Sequence, residues 1–215
     1  MTHVCMVTAV QRSQPKPLPV FPNPAPRPEG SLPPLVLDFF SDVPDGIELA
    51  LGKVPQRNAA VYVQAIRTAG PRSIVCNVNC AGGDPDGAIA IATALLQHPF
   101  AVTCHIVGRC SSAAAFIALA ADRRTIVPDG YVLLHTARRL CTPEQWENVK
   151  RLPPDARWVI NDSLADIDDV SVALLRDRLG VSEQVARGWL ADKKWLSPEA
   201  LERGFVHSIS DRETA

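Results

Sequence analysis

The sequence has no apolar run long enough to cross a bilayer as a helix, which takes about 20 residues. It also has almost no net charge, the formal value being −1. No field therefore draws the chain to nucleic acid or to an anionic membrane, and partners must be recognised by shape and local chemistry. Met1 to Val10 is mildly apolar but has no basic leading region and no small-residue cleavage site. It does not read as a signal peptide, and a cytoplasmic location is expected. None of the six cysteines (Cys5, Cys76, Cys80, Cys104, Cys110, Cys141) belongs to a C-x-x-C pair, and their spacings fit no zinc template. No metal site is expected. Cys76 and Cys104 sit in apolar, strand-like runs, so free buried thiols of a reducing compartment are expected rather than disulfides. No internal repeat is present.

Proline is concentrated in one place. Nine of the 19 prolines lie between Pro15 and Pro34. Proline lacks the amide hydrogen and clashes with a helical turn, so no helix or inner strand is expected there. Residues 1–33 read as a disordered or polyproline-like tail, a tether, propeptide or docking arm. Residues 34–215 are long enough for one domain with a real core.

From Leu35 the texture changes. Leu35–Phe40 reads as a strand, and a helix follows Pro55 with Ala59, Val63 and Ile66 on one face. Ser73–Asn79 and Val102–Val107 are β-branched and apolar, as buried strands are. Helices are expected at about 85–98 and 111–121, and short strands at 125–127 and 131–135. This alternation over residues 73–135 predicts βαβ units with a mostly parallel sheet. After His135 the pattern turns helical. Thr142-Pro143-Glu144-Gln145 has capping-box spacing with proline at the first helical position. An amphipathic helix is expected over 162–179, ending at Gly180. Ser182 caps another, and Ser197-Pro198-Glu199 opens a short one.

Three segments carry chemistry. Asn79-Cys80-Ala81-Gly82-Gly83-Asp84 joins a buried strand to a helix. Its paired glycines permit positive φ, and its amides can face a developing oxyanion. Alone, such a turn is more often only a turn. Gly108-Arg109-Cys110-Ser111-Ser112-Ala113 again joins strand to helix. A serine there benefits from the positive end of the helix dipole, and the Ala113 amide is a candidate oxyanion donor. Taken alone, the segment reads more readily as Ser111 an N-cap and Ser112 its neighbour. His135 ends a strand at the end where α/β sheets build sites. His105 reads as a satisfied strand histidine, and His3, His98 and His207 have no supporting context.

As an ordered set, these segments resemble the proteolytic subunit of Clp protease and its relatives among phage-type head-maturation proteases. The likeness runs from about Leu35 to Ile209 and is best over 74–135. The family's Asn-Ser-Pro-Gly-Gly turn stands here as Asn79-Cys80-Ala81-Gly82-Gly83. Its Gly-x-x-x-Ser segment matches Gly108 to Ser112, which selects Ser112 over Ser111. Its histidine matches Leu133-Leu134-His135. Asp192, followed by Leu196-Ser197-Pro198-Glu199-Ala200 and Gly204-Phe205-Val206, matches the segment of the third catalytic residue. The chain departs from the pattern at Cys80 and Ala81, at Ala137 in place of a proline, and at His207 in place of an aspartate. Lys193-Lys194 also shifts the spacing after Asp192. Asp166, Asp168 and Asp169 are rival carboxylates.

The resemblance implies an α/β, ClpP/crotonase-like fold of stacked ββα units with a helical extension at 140–180. It implies a serine endopeptidase with Ser112 as nucleophile, His135 as base and Asp192 as acid. Gly83 and Ala113 supply the oxyanion amides, and neither metal nor cofactor is needed. Cys80 and Cys110 read as packing residues. It also implies peptide or protein substrates bound extended along a strand edge, a homo-oligomeric ring and an ATP-dependent unfoldase partner. Three alternatives stand beside it: a crotonase-type acyl-CoA enzyme, a catalytically inactive Clp-like subunit, and a Ser–Lys site using Lys150 or Lys193.

Overall fold

A computed structural model of the chain describes residues 5–8, 16–40 and 57–210. The first half runs β1 (Cys5–Thr8), β2 (Leu32–Phe40), α1 (Arg57–Arg67), β3 (Arg72–Cys80), α2 (Pro85–Gln97), β4 (Val102–Ser111) and α3 (Ala114–Ala120). The second runs β5 (Arg123–Ile126), β6 (Tyr131–Leu134), β7 (Arg138–Cys141), α4 (Pro143–Arg151), α5 (Pro154–Leu179), α6 (Glu183–Trp189), β8 (Lys193–Leu196), α7 (Ser197–Glu202) and β9 (Ser208–Ile209).

β3 buries alternate residues, Ile74, Cys76, Val78 and Cys80, and β4 does the same with Val102, Cys104 and Ile106. That period of two turns one face of the sheet inward. α2 closes over it with Ala88, Ile91 and Leu95, and α3 is buried on every side. A short helix apolar all round belongs in a core, and the alanines of α3 let it lie close to the sheet. Each large apolar side chain buried here contributes about 1.5–3 kcal/mol.

The main sheet has seven strands in the order β2-β3-β4-β5-β9, with β6 joined to β4 and β8 joined to β6. All its pairs are parallel except β6–β8. β4 divides its partners. Thr103–Ile106 pair with β5, whereas Arg109–Ser111 pair with β6. The change falls at Gly108, where an added Cβ would meet Asn79 Oδ1 at 2.6 Å. The same Asn79 oxygen accepts from the Arg109 amide at 3.1 Å. The split carries the end of β4 beside β6, and so Ser112 beside His135.

The expected helices are present, with the Thr142 capping box, the Ser182 cap and a left-handed Gly180. Four features differ from the sequence reading. α5 begins at Pro154 rather than near 162. β7 and β8 lie after His135, where the sequence reading names only helices; β8 has only four residues, with one of them, Trp195, buried. β2 begins at Leu32, and as an edge strand it tolerates Pro33 and Pro34. Residues 16–31 have no helix or strand, as their prolines require, yet they are bound to the domain rather than disordered. Arg27 clasps Asp122 and the Leu95 and His98 carbonyls, and the Phe21 amide donates to Asp177. Cys5–Thr8, also placed in the tail, pair antiparallel with β7. The rest of the expected tail, residues 1–4 and 9–15, lies outside the described residues.

Two buried arginines fasten the layers. Arg124 donates to the Phe205 carbonyl at 2.6 Å and to Ala121 at 2.9 Å. Arg178 donates to Leu119 at 2.7 Å and to Ala121 at 3.0 Å. Both cations meet the carboxyl end of α3, where the dipole favours them. Burial draws the Arg124 guanidinium down to about 10. Trp195, 1% exposed, packs edge-on against Trp189 and Phe205.

Candidate active site

Ser112 sits between β4 and α3 with φ at 54°, in the left-handed region. For a serine this costs roughly 1–2 kcal/mol, and such strain gathers at functional positions. The strained turn is held by the Ser112 amide, which donates to the Leu133 carbonyl at 2.8 Å. It is crowded from the other side by the glycine turn. A Cβ on Gly82 would meet Ser111 O and Ser112 Cβ at 2.6 Å, and Gly82 itself has φ +95°. Glycine is therefore required there. The turn leads into α2, which Asp84 caps by accepting from the amides of Asp86 and Gly87.

A cleft opens at this junction. Gly83, Ser112, Ala113 and His135 line one part of it, so four of the five expected site residues come together. The remainder of the wall is mostly apolar, with Phe116, Leu119, Leu134, Leu164, Leu175 and Leu190 beside the polar Arg138 and Ser171. His135 Nδ1 lies 2.6 Å from the Thr136 carbonyl oxygen. A carbonyl only accepts, so Nδ1 carries a proton, and in the neutral imidazole Nε2 then keeps the lone pair. That is the tautomer a base facing a serine hydroxyl needs.

Asp192 is placed differently from its expected role. It follows α6 at φ 51°, one residue beyond the Leu134–Lys193 pair and thus at the His135 end of β6. Its carboxylate is bound by Arg138, its side chain is 66% exposed, and the His135 Nδ1 bond goes to Thr136. Of the rival carboxylates, Asp166 pairs with Lys16 and Asp169 with Arg187, both at 3.0 Å. Asp168 accepts from the Ala137 amide at 2.5 Å. Burial is the main reason its carboxyl is raised from 3.8 to about 6. The sequence offered three aspartates within four positions and no signal to choose among them, because the choice is made by which face of α5 meets the His135 loop.

Cys76, Cys80, Cys104 and Cys110 are buried thiols, as expected of packing residues. Burial pushes the Cys104 thiol up to about 12. A thiol so hard to ionise is a poor nucleophile. The side chains of Cys5 and Cys141 lie outside those described. His105 is satisfied by Thr125, and His98 and His207 bond to backbone groups of Arg72 and Arg124. Among the described residues no group of His, Cys, Asp and Glu suits a metal ion, and no helix is long and apolar enough to cross a membrane.

The Clp protease family model matches residues 59–213, which span the glycine turn, Ser112, His135 and Asp192. The chain belongs to the Clp protease family. Membership supports a ClpP-like peptidase on a ClpP/crotonase-like fold, and the parallel sheet with its flanking helices has that form. No curated protein matches this Clp protease family chain.

Proposed function

We propose that this protein is a serine endopeptidase with Ser112 as nucleophile and His135 as general base. The observation that carries the reading is the strained Ser112, tied by its amide to the strand that ends in His135, both on the wall of one cleft. His135 Nε2 takes the hydroxyl proton as Ser112 Oγ attacks a peptide carbonyl. The Gly83 and Ala113 amides stabilise the oxyanion. The protonated imidazole then gives its proton to the leaving amine, and water releases the acyl-enzyme. Asp192, given as the third member by resemblance, requires its carboxylate to leave Arg138 before it can serve His135.

The apolar part of the cleft, beyond the nucleophile, suits an aliphatic or aromatic substrate side chain. In keeping with the family, the working form is a homo-oligomeric ring in the cytoplasm, fed by an ATP-dependent unfoldase. The test is hydrolysis of an unfolded protein such as casein by the assembled wild type and by Ser112→Ala. Peptide release by the wild type alone supports the reading. Equal release by both contradicts it, and intact substrate with both favours an inactive structural subunit.

A further inference from the structure

The Thr136–Ala137 peptide group is used from both sides. Its carbonyl accepts from His135 Nδ1 at 2.6 Å, and its N–H donates to Asp168 Oδ1 at 2.5 Å. The peptide is trans, since no cis bond is present among the described residues. Its two polar ends therefore point in opposite directions, and one planar unit links the carboxylate to the imidazole. We propose that Asp168 is a positioning residue that does the work of the triad acid through this peptide. The inference rests on reading Ser112 and His135 as nucleophile and base.

A carboxylate accepting from the N–H polarises the peptide and places more negative charge on the Thr136 oxygen. That oxygen then holds Nδ1–H more firmly, keeps Nε2 free for Ser112, and stabilises the imidazolium formed during attack. Placement agrees. Asp168 stands on α5 between Ile167 and Ser171, two cleft-lining residues, and Ala137 itself lines the cleft. The other candidates are paired with cations: Asp192 with Arg138, Asp169 with Arg187 and Asp166 with Lys16.

The charge state of Asp168 follows from what faces it. Burial raises the carboxyl to about 6, the Ala137 amide opposes this, Asp169 on the same helix raises it, and Arg187 of α6 lowers it. His135 and Arg138 flank the Thr136–Ala137 peptide it holds, Arg138 as the first residue of β7. Ionised Asp168 is thus present at neutral pH and is lost over the range in which an ordinary histidine also gains a proton.

The experiment compares the full-length wild type with Asp168→Asn and Asp168→Ala. It reads the rate of fluorophosphonate labelling against pH, and the ring ¹⁵N shifts of His135 without the probe. Asparagine keeps an oxygen for the Ala137 amide and loses the charge; alanine loses both. The expected result is a loss of about 10- to 100-fold for alanine, the range typical when the outer hydrogen-bond partner of a metal-bound histidine is removed. Asparagine should fall between. The acid limb should follow two protons in the wild type and one in Asp168→Asn, which a merely structural role would not produce. His135 should be the Nδ1–H tautomer in the wild type and mixed in Asp168→Ala. Alanine labelling within about twofold of wild type, with an unchanged acid limb and tautomer, would overturn the inference and leave the peptidase reading intact. An unlabelled wild type would instead contradict that reading, and the tautomer comparison would still decide the role of Asp168.

Discussion

The Ser112 amide donates to the Leu133 carbonyl at 2.8 Å, so the proposed nucleophile is pinned to the strand that ends in His135, the proposed base. Because β4 leaves β5 at Gly108 and joins β6 at Arg109, this bond extends a parallel ladder into the site. Ser112 and His135 are thereby set by sheet register, a rigid support for the proposed catalytic pair.

Ser112 should show a conflict between stability and activity. At φ 54° glycine is free of the strain that serine bears. Ser112→Gly is expected to abolish hydrolysis and to stabilise the fold by about 1 kcal/mol. Ser111→Ala should leave labelling by an active-site probe in place. Urea unfolding midpoints and probe labelling check both.

Gly82 should tolerate no side chain, whereas Gly180 should. Both have positive φ, but a Cβ at Gly82 runs into Ser111 and Ser112 while one at Gly180 meets nothing within 4 Å. Gly180→Ala is expected to cost about 1 kcal/mol and keep activity. Gly82→Ala should cost about twice that or more and lose labelling of Ser112. Thermal melts paired with activity assays distinguish the two.

Stability should fall as pH rises from about 4 to about 6. Folding raises the Asp168 carboxyl from 3.8 to about 6, so the native chain binds its proton more tightly than the unfolded chain in that window. The unfolded state then holds fewer protons, and the slope of stability against pH is negative. Discounted for partial exposure, the effect is about 1–2 kcal/mol. Asp168→Asn should remove the slope, and be more stable yet slower near neutral pH. Denaturant titrations at pH 4, 5, 6 and 7 measure it.

The buried thiols should be silent. Cys76, Cys80, Cys104 and Cys110 are fully buried, and burial raises Cys76 and Cys110 well above the ordinary range. Iodoacetamide at pH 8 should modify none of these four in the native protein and all of them in guanidinium. Peptide mapping by mass spectrometry reads the outcome.

Much of the fold was legible because periodicity and capping are local. The alternation in Arg72–Cys80, the capping box at Thr142 and the glycine after Leu179 each act within a few residues. β8 was not legible, since Lys193–Leu196 carries too little pattern to signal a strand and exists by pairing with β6. Nor was the fastening of residues 16–31, whose bonds reach partners as far as Asp177. In the site, Gly82, Ser112 and His135 announce themselves by residue type and order, because each needs one particular chemistry. The carboxylate did not. Aspartates are common on helix surfaces, and the link from Asp168 to His135 passes through a backbone peptide that no side-chain pattern encodes.

The most direct measurement is fluorophosphonate labelling of the assembled protein, with the adduct mapped by tandem mass spectrometry. The expected result is one adduct per chain, on Ser112, absent from Ser112→Ala and His135→Ala. A folded wild type that takes up no probe, or takes it up with Ser112 replaced, would contradict an activated serine at this position.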